Sequence, residues 1–170
     1  CFPTTRTLIG GCSSPCMSEP GPVITDRWIL QQRPKKNAVD PTRPYAFLVE
    51  KERSLGGSVD DVLTILLTNK ECPFRCLMCD LWKNTTNEPV PRGAIPAQIR
   101  WALERVAPTR HVKLYNAGSF FDPQAIAFEE YPEIARLAAP FKTVIVESHP
   151  RMIGRRCMRF NEMVEGQLQV

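Results

Sequence analysis

"DDVLTILLTNKECPFRCLMCDLW", residues 60–82, runs an apolar stretch straight into a loop that holds Cys72, Cys76 and Cys79. Residues 60–69 are rich in leucine and β-branched side chains and end on a turn signal, which predicts a buried strand. The cysteines that follow have the spacing C-x3-C-x2-C. Thiols this close together bind a metal, form a disulfide or stay inert in a core.

Downstream the texture repeats. "IPAQIRWALERV" (95–106) places Ile95, Ile99, Ala102, Leu103 and Val106 at helical spacing, with a proline near the first turn. "RHVKLYNAG" (110–118) predicts a second strand, "EEYPEIARLAAP" (129–140) a second helix and "KTVIVESHP" (142–150) a third strand. "GRRCMRFNEMVEG" (154–166) predicts a third helix, and "QLQV" (167–170) a fourth strand beginning. Such alternation implies an α/β fold of parallel strands with right-handed crossovers. Chemistry in these folds collects at the carboxyl ends of the strands. The cysteine loop, "NAGSFFD" and "ESHP" are therefore expected on one rim.

Upstream, residues 1–44 hold seven of the sixteen prolines and read as a largely irregular arm. Residues 45–170 form the expected core domain, which reads as an incomplete one. The chain opens on Cys1, and Met17 precedes a more ordinary start, so residues 1–16 are expected not to be native to the protein. The chain of 170 residues suits one domain. Its charge of +4 permits contact with nucleic acid without arguing for it. No stretch is long enough to span a bilayer, and the opening lacks the apolar centre of a secretory signal. Those features predict a soluble, cytoplasmic chain. Seven unevenly spread cysteines do not resemble a disulfide scaffold.

Structural zinc needs four closed ligands, and the loop offers three. His111 and His149 belong to other segments, although a distant residue such as Cys157 would complete a zinc knuckle. An iron–sulfur cluster on three thiolates keeps one iron open to a ligand. The C-x3-C-x2-C loop after a first strand resembles that of radical S-adenosylmethionine (SAM) enzymes. That resemblance implies the N-terminal half of a partial (βα)6 barrel. It also implies a 4Fe–4S cluster on Cys72, Cys76 and Cys79, with SAM on the fourth iron and a flavodoxin or ferredoxin as electron donor. Reductive cleavage of SAM then starts radical chemistry.

Further segments carry the likeness. Ala117-Gly118-Ser119-Phe120 resembles the Gly-Gly-Thr-Phe form of the family's second-strand motif, which implies that Ala117, Gly118 and Ser119 seat the methionyl end of SAM. Tyr131 fits the same subgroup. Glu147-Ser148-His149-Pro150-Arg151 resembles the Glu-Thr-Arg-Pro-Asp ending of the third strand in the branch of the Elongator catalytic subunit, the methylthiotransferases and nitrogenase-cofactor assembly. By that match Glu147 faces SAM or substrate. Met78 stands where the family usually has an aromatic residue and is expected on the adenine. "VDPTRPYAFLVEKERS" with "LLTNKECPFRCLMCDLWKNT" is similar to the group of the archaeosine synthase lyase subunit, which implies a modified tRNA base as substrate. A small-molecule substrate is the alternative, and a non-catalytic zinc or iron–sulfur binding module is another.

Plainer readings stand beside these. Cys157, next to Met158, reads as core, and Cys12-Cys16 as incidental. "NAGS" is also an ordinary turn, and Glu147 a helix cap. His149 is a proton donor or a satisfied loop histidine. Asp80 and Trp82 line the pocket or pack the loop's exit. Arg151, Arg155, Arg156 and Arg159, with Lys35 and Lys36, suit RNA phosphates or form a solvated helix face.

Overall fold

The structure is a computed structural model that describes residues 21–54 and 56–170. Met17 and the cysteines before it lie outside the described residues. The elements run α1 (Asp26–Gln32), β1 (Ala46–Arg53), β2 (Val59–Leu67), α2 (Ala94–Leu103), β3 (His111–Asn116), α3 (Tyr131–Ala138), β4 (Thr143–Val146), α4 (Arg155–Met163) and β5 (Gln167–Gln169).

Every strand and helix predicted from residue 60 onward is present, with ends trimmed by a few residues. Two elements escaped the sequence reading. The arm is not wholly irregular, because Thr25 caps α1 by accepting the Trp28 amide at 3.2 Å. Pro34 follows soon after and limits the helix to seven residues. β1 is the other. It pairs antiparallel with β2 from Ala46 opposite Leu66 to Arg53 opposite Val59.

The sheet has the order β1-β2-β3-β4-β5, with β2 to β5 parallel. Strand pairing does not close these five strands into a barrel. The fold shown is therefore an α/β sheet, mostly parallel.

Alternation along the strands gives the sheet two unlike faces. Leu63, Ile65, Leu67, Val112, Leu114, Val144 and Val146 are buried in one core with residues of α2, α3 and α4. Phe120, Phe121, Tyr131 and Phe160 interlock there, with ring centroids 4.9 Å apart for Phe120–Phe160 and 5.1 Å for Tyr131–Phe160. Each buried ring contributes about 1.5–3 kcal/mol relative to exposure. On the opposite face, strand register sets Leu48, Thr64, Lys113, Ile145 and Gln169 in one row.

Two close approaches shape the carboxyl and amino ends of the strands. Gln98, on the apolar side of α2 and fully buried, accepts the Thr68 amide and donates to the Thr68 and Pro41 carbonyls, each at 2.8 Å. It thereby satisfies backbone groups just where β2 leaves the ladder. Gly166 lets β5 lie beside β4, since a Cβ there would stand 2.3 Å from the Phe141 carbonyl. No helix among the described residues is long and apolar enough to cross a membrane.

Candidate functional site

The three segments expected on one rim do meet. Cys72, Cys76 and Cys79 share a cavity of about 480 Å³ with Ala117, Gly118, Ser119 and Glu147. Parallel pairing accounts for this, because β2, β3 and β4 all leave the sheet on the same side.

All three thiols are free; Cys72 and Cys79 are half-buried and Cys76 is exposed. The Cys79 amide donates to the Cys76 carbonyl at 3.2 Å and forms a tight turn. Leu77 and Met78 occupy its tip. Met78 is 87% exposed and outside the cavity lining. Burial pushes the Cys72 thiol up, and the negative groups nearby add to the shift, while a hydrogen bond with the Phe74 backbone opposes it.

Gly118 shows why a small residue sits in "NAGS". Its φ is +156°, and a Cβ there would lie 2.7 Å from Cys72 Cβ and 3.1 Å from Cys72 Sγ. The loop after β3 therefore touches the first cysteine through bare backbone. Ser119 is buried, and its Oγ accepts the His149 amide at 2.8 Å, tying the loop after β3 to the loop after β4. The Glu147 carbonyl accepts the Phe120 amide at 2.8 Å and strengthens the same junction. Glu147 lines the cavity. Partial burial raises its carboxyl pKa, with Lys113 pulling the other way.

His149 is held on both sides. Its Nδ1 accepts the Arg151 amide at 3.2 Å, and its ring stacks on Phe74 of the cysteine loop with centroids 3.9 Å apart. Phe74 thus spans from the trio to the end of β4.

The cysteine loop is fastened by charge. Glu71 Oε1 meets Arg33 Nη1 at 2.8 Å and Arg75 Nη1 at 2.7 Å, and Glu71 Oε2 meets Lys36 Nζ at 2.7 Å. Arg75 Nη1 also donates to the Cys72 carbonyl at 2.6 Å. Burial alone would raise the Glu71 pKa, but the Lys36 hydrogen bond and the three cations outweigh it and hold the carboxyl low. Arg33 lies over the Trp82 ring at 4.8 Å, so Trp82 packs the loop's exit and does not line the cavity. Asp80 pairs with Lys83 beside it, also outside the lining.

Several functional neighbours were missed in the sequence. Phe74, Tyr115 and Ile145 line the cavity. Tyr115 and Ile145 follow from strand parity once β3 and β4 are aligned; Phe74 had no such cue. Asn69 and Asn116, buried at the ends of β2 and β3, keep amide groups without a protein partner among the described residues.

Other candidates lie elsewhere. Cys157 packs against the core. Tyr131 is fully buried in the aromatic cluster. Arg156 donates to the Ile126 carbonyl at 2.7 Å and lies over Tyr131, while Arg159 pairs with Glu162. Lys36 is engaged by Glu71 and by Asn87.

No family model, curated protein or solved structure matches this chain.

Proposed function

We propose that the chain carries a radical SAM site. One observation supports this reading above the others: three free thiols of one loop line a single cavity with the Gly118 backbone and Glu147, and among the described residues no fourth cysteine joins them. Among the described residues, no three His, Cys, Asp or Glu side chains form a group that could hold one metal ion. The loop itself offers three thiolates and no fourth local ligand, which suits a 4Fe–4S cluster with one open iron better than a closed zinc site.

Cys72, Cys76 and Cys79 are the residues that would hold it. When bound, the cluster supplies the electron that cleaves SAM, received from a flavodoxin or ferredoxin. The chain's own part is positional. Arg75 fixes the Cys72 carbonyl, Gly118 yields space beside Cys72, and the Ser119–His149 bond locks the two rim loops together. Ala117, Gly118 and Ser119 offer backbone to the methionyl end of SAM. The finer architecture proposed is the first half of a partial barrel, and the substrate class proposed from the sequence is a modified tRNA base.

Anaerobic reconstitution with iron and sulfide tests the reading. The expected product holds about four irons and four sulfides per chain, and the EPR signal of its reduced form changes when SAM is added. A triple Cys72→Ser, Cys76→Ser, Cys79→Ser variant should take up neither metal nor sulfide while keeping its circular dichroism. Zinc in place of iron, or a cluster indifferent to SAM, would overturn it.

A further inference from the structure

The three cysteines are not held alike. Cys76 and Cys79 form a C-x-x-C pair across one tight turn, closed by the Cys79 amide on the Cys76 carbonyl at 3.2 Å. A turn of this kind keeps its first and fourth Cα atoms within about 7 Å. Disulfides span Cα separations of about 4.4–6.8 Å, so side-chain rotation is enough to bring the two sulfurs together. Both thiols are free, and Cys76 is exposed to a reagent in solution.

Cys72 is anchored apart from them. Its carbonyl accepts Arg75 Nη1 at 2.6 Å, and the same nitrogen meets Glu71 at 2.7 Å. Its side chain packs against the Gly118 backbone. Phe74, between Cys72 and Cys76, is stacked on His149. Drawing Cys72 to either of the other cysteines pulls on all of these contacts, whereas closing Cys76 onto Cys79 breaks none of them.

We propose that this turn is a redox switch in the metal-free chain: Cys76 and Cys79 close into a disulfide, Cys72 stays a free thiol, and the closed form takes up no iron. The oxidant is a low-molecular-weight disulfide. The Cys76 thiolate attacks it, forms a mixed disulfide and releases one small thiolate; the Cys79 thiolate then attacks the Cys76 sulfur and releases the second. Two electrons pass from the turn to the small disulfide, and the two protons end on the two small thiols released. Two of the three thiolates offered to a cluster are thereby withdrawn, and a dithiol reductant returns them. The gating of iron rests on the radical SAM reading above; the choice of disulfide partners does not.

Glutathione disulfide, added to the reduced, metal-free full chain, tests the switch. Remaining thiols are capped with iodoacetamide, and trypsin separates the cysteines, since Lys70, Arg75 and Lys83 bound residues 71–75 and 76–83. The expected product is residues 76–83 uncapped and two hydrogens lighter, with Cys72 and Cys157 capped. In urea, where the turn and the anchors are lost, links from Cys72 should appear and the 76–79 link should lose its dominance. A folded chain that joins Cys72 to Cys76 or Cys79, or that stops at glutathione on Cys76, would overturn the proposal, as would a product distribution unchanged by urea. Cys72→Ser should still close the bond, and Cys79→Ser should stop at the mixed disulfide.

The oxidised chain should lose iron and sulfide uptake, and dithiothreitol should restore it. Uptake undiminished with the bond closed would overturn the gate. A chain that closes this disulfide yet assembles no SAM-responsive cluster when reduced would sink the proposed function and leave the disulfide standing. A SAM-responsive cluster in a chain that never closes the bond would do the reverse.

Discussion

The helix-covered face of the sheet and the cysteine loop are built by different forces. The first is held by apolar burial, with Leu63, Ile65, Leu67, Phe120 and Phe160 all closed to solvent. Such packing is non-directional and tolerates little loss of volume. The second, from Asn69 onward, is fastened by one carboxylate shared among three cations, a backbone bridge between Lys70 and Thr86, and an aromatic–histidine stack. Each of these is weak alone and depends on geometry or pH. Stability is thus concentrated behind the sheet, and the segment nearest the candidate chemistry is left adjustable.

The sharpest break comes from the core. Phe120→Ala should cost about 3–5 kcal/mol and unfold sheet and site together, seen as a large drop in the urea midpoint. Gly118→Ala should sharpen the contrast: about 2–3 kcal/mol from the disallowed backbone and the clash with Cys72, with iron–sulfide uptake lost while the remaining fold persists. If uptake survived, backbone contact at Cys72 would not govern the site.

Glu71→Gln comes next, at about 1–2 kcal/mol, below the cost of breaking a fully buried pair. Since the folded pKa of Glu71 is depressed, its contribution is present above the ordinary carboxylate range and is lost as pH falls through the depressed value. The wild type should therefore lose its margin over Glu71→Gln in acid. Proteolysis near α1 should quicken in the same window. A margin independent of pH would show that the hub acts by packing alone.

The smallest effect, and of opposite sign, belongs to Glu147. Its raised folded pKa means that ionisation weakens the fold, so Glu147→Gln should be slightly more stable at neutral pH. The gap should close as pH falls below the carboxylate range.

These differences track what could be read from the sequence. Strands β2, β3 and β4 were legible because most of their residues are buried or half-buried on both faces, which favours continuous apolar, β-branched runs, as in "TVIV" at 143–146. The shared rim followed from their parallel direction. β1 was not legible. It is an edge strand whose "VEKER" carries charges and little buried surface, so it has no apolar alternation to betray it. α1 was hidden among prolines, although Thr25 and Asp26 make an N-terminal start signal. At the site, the cysteine spacing named the trio and the glycine named the close approach. Glu71 carried no mark, because its three partners lie 38, 35 and 4 positions away and only folding gathers them.

The direction of β1 has a practical side. An antiparallel first strand begins where its parallel neighbours end, so the peptide leading into Ala46 arrives at the rim that bears the cysteines. Tyr45 sits there already, its amide donating to the Leu66 carbonyl at 3.0 Å. A tag, fusion partner or trimming placed on the segment before Ala46 would thus be an alteration of the cavity's surroundings, and so would one beside Val170, which lines the same cavity.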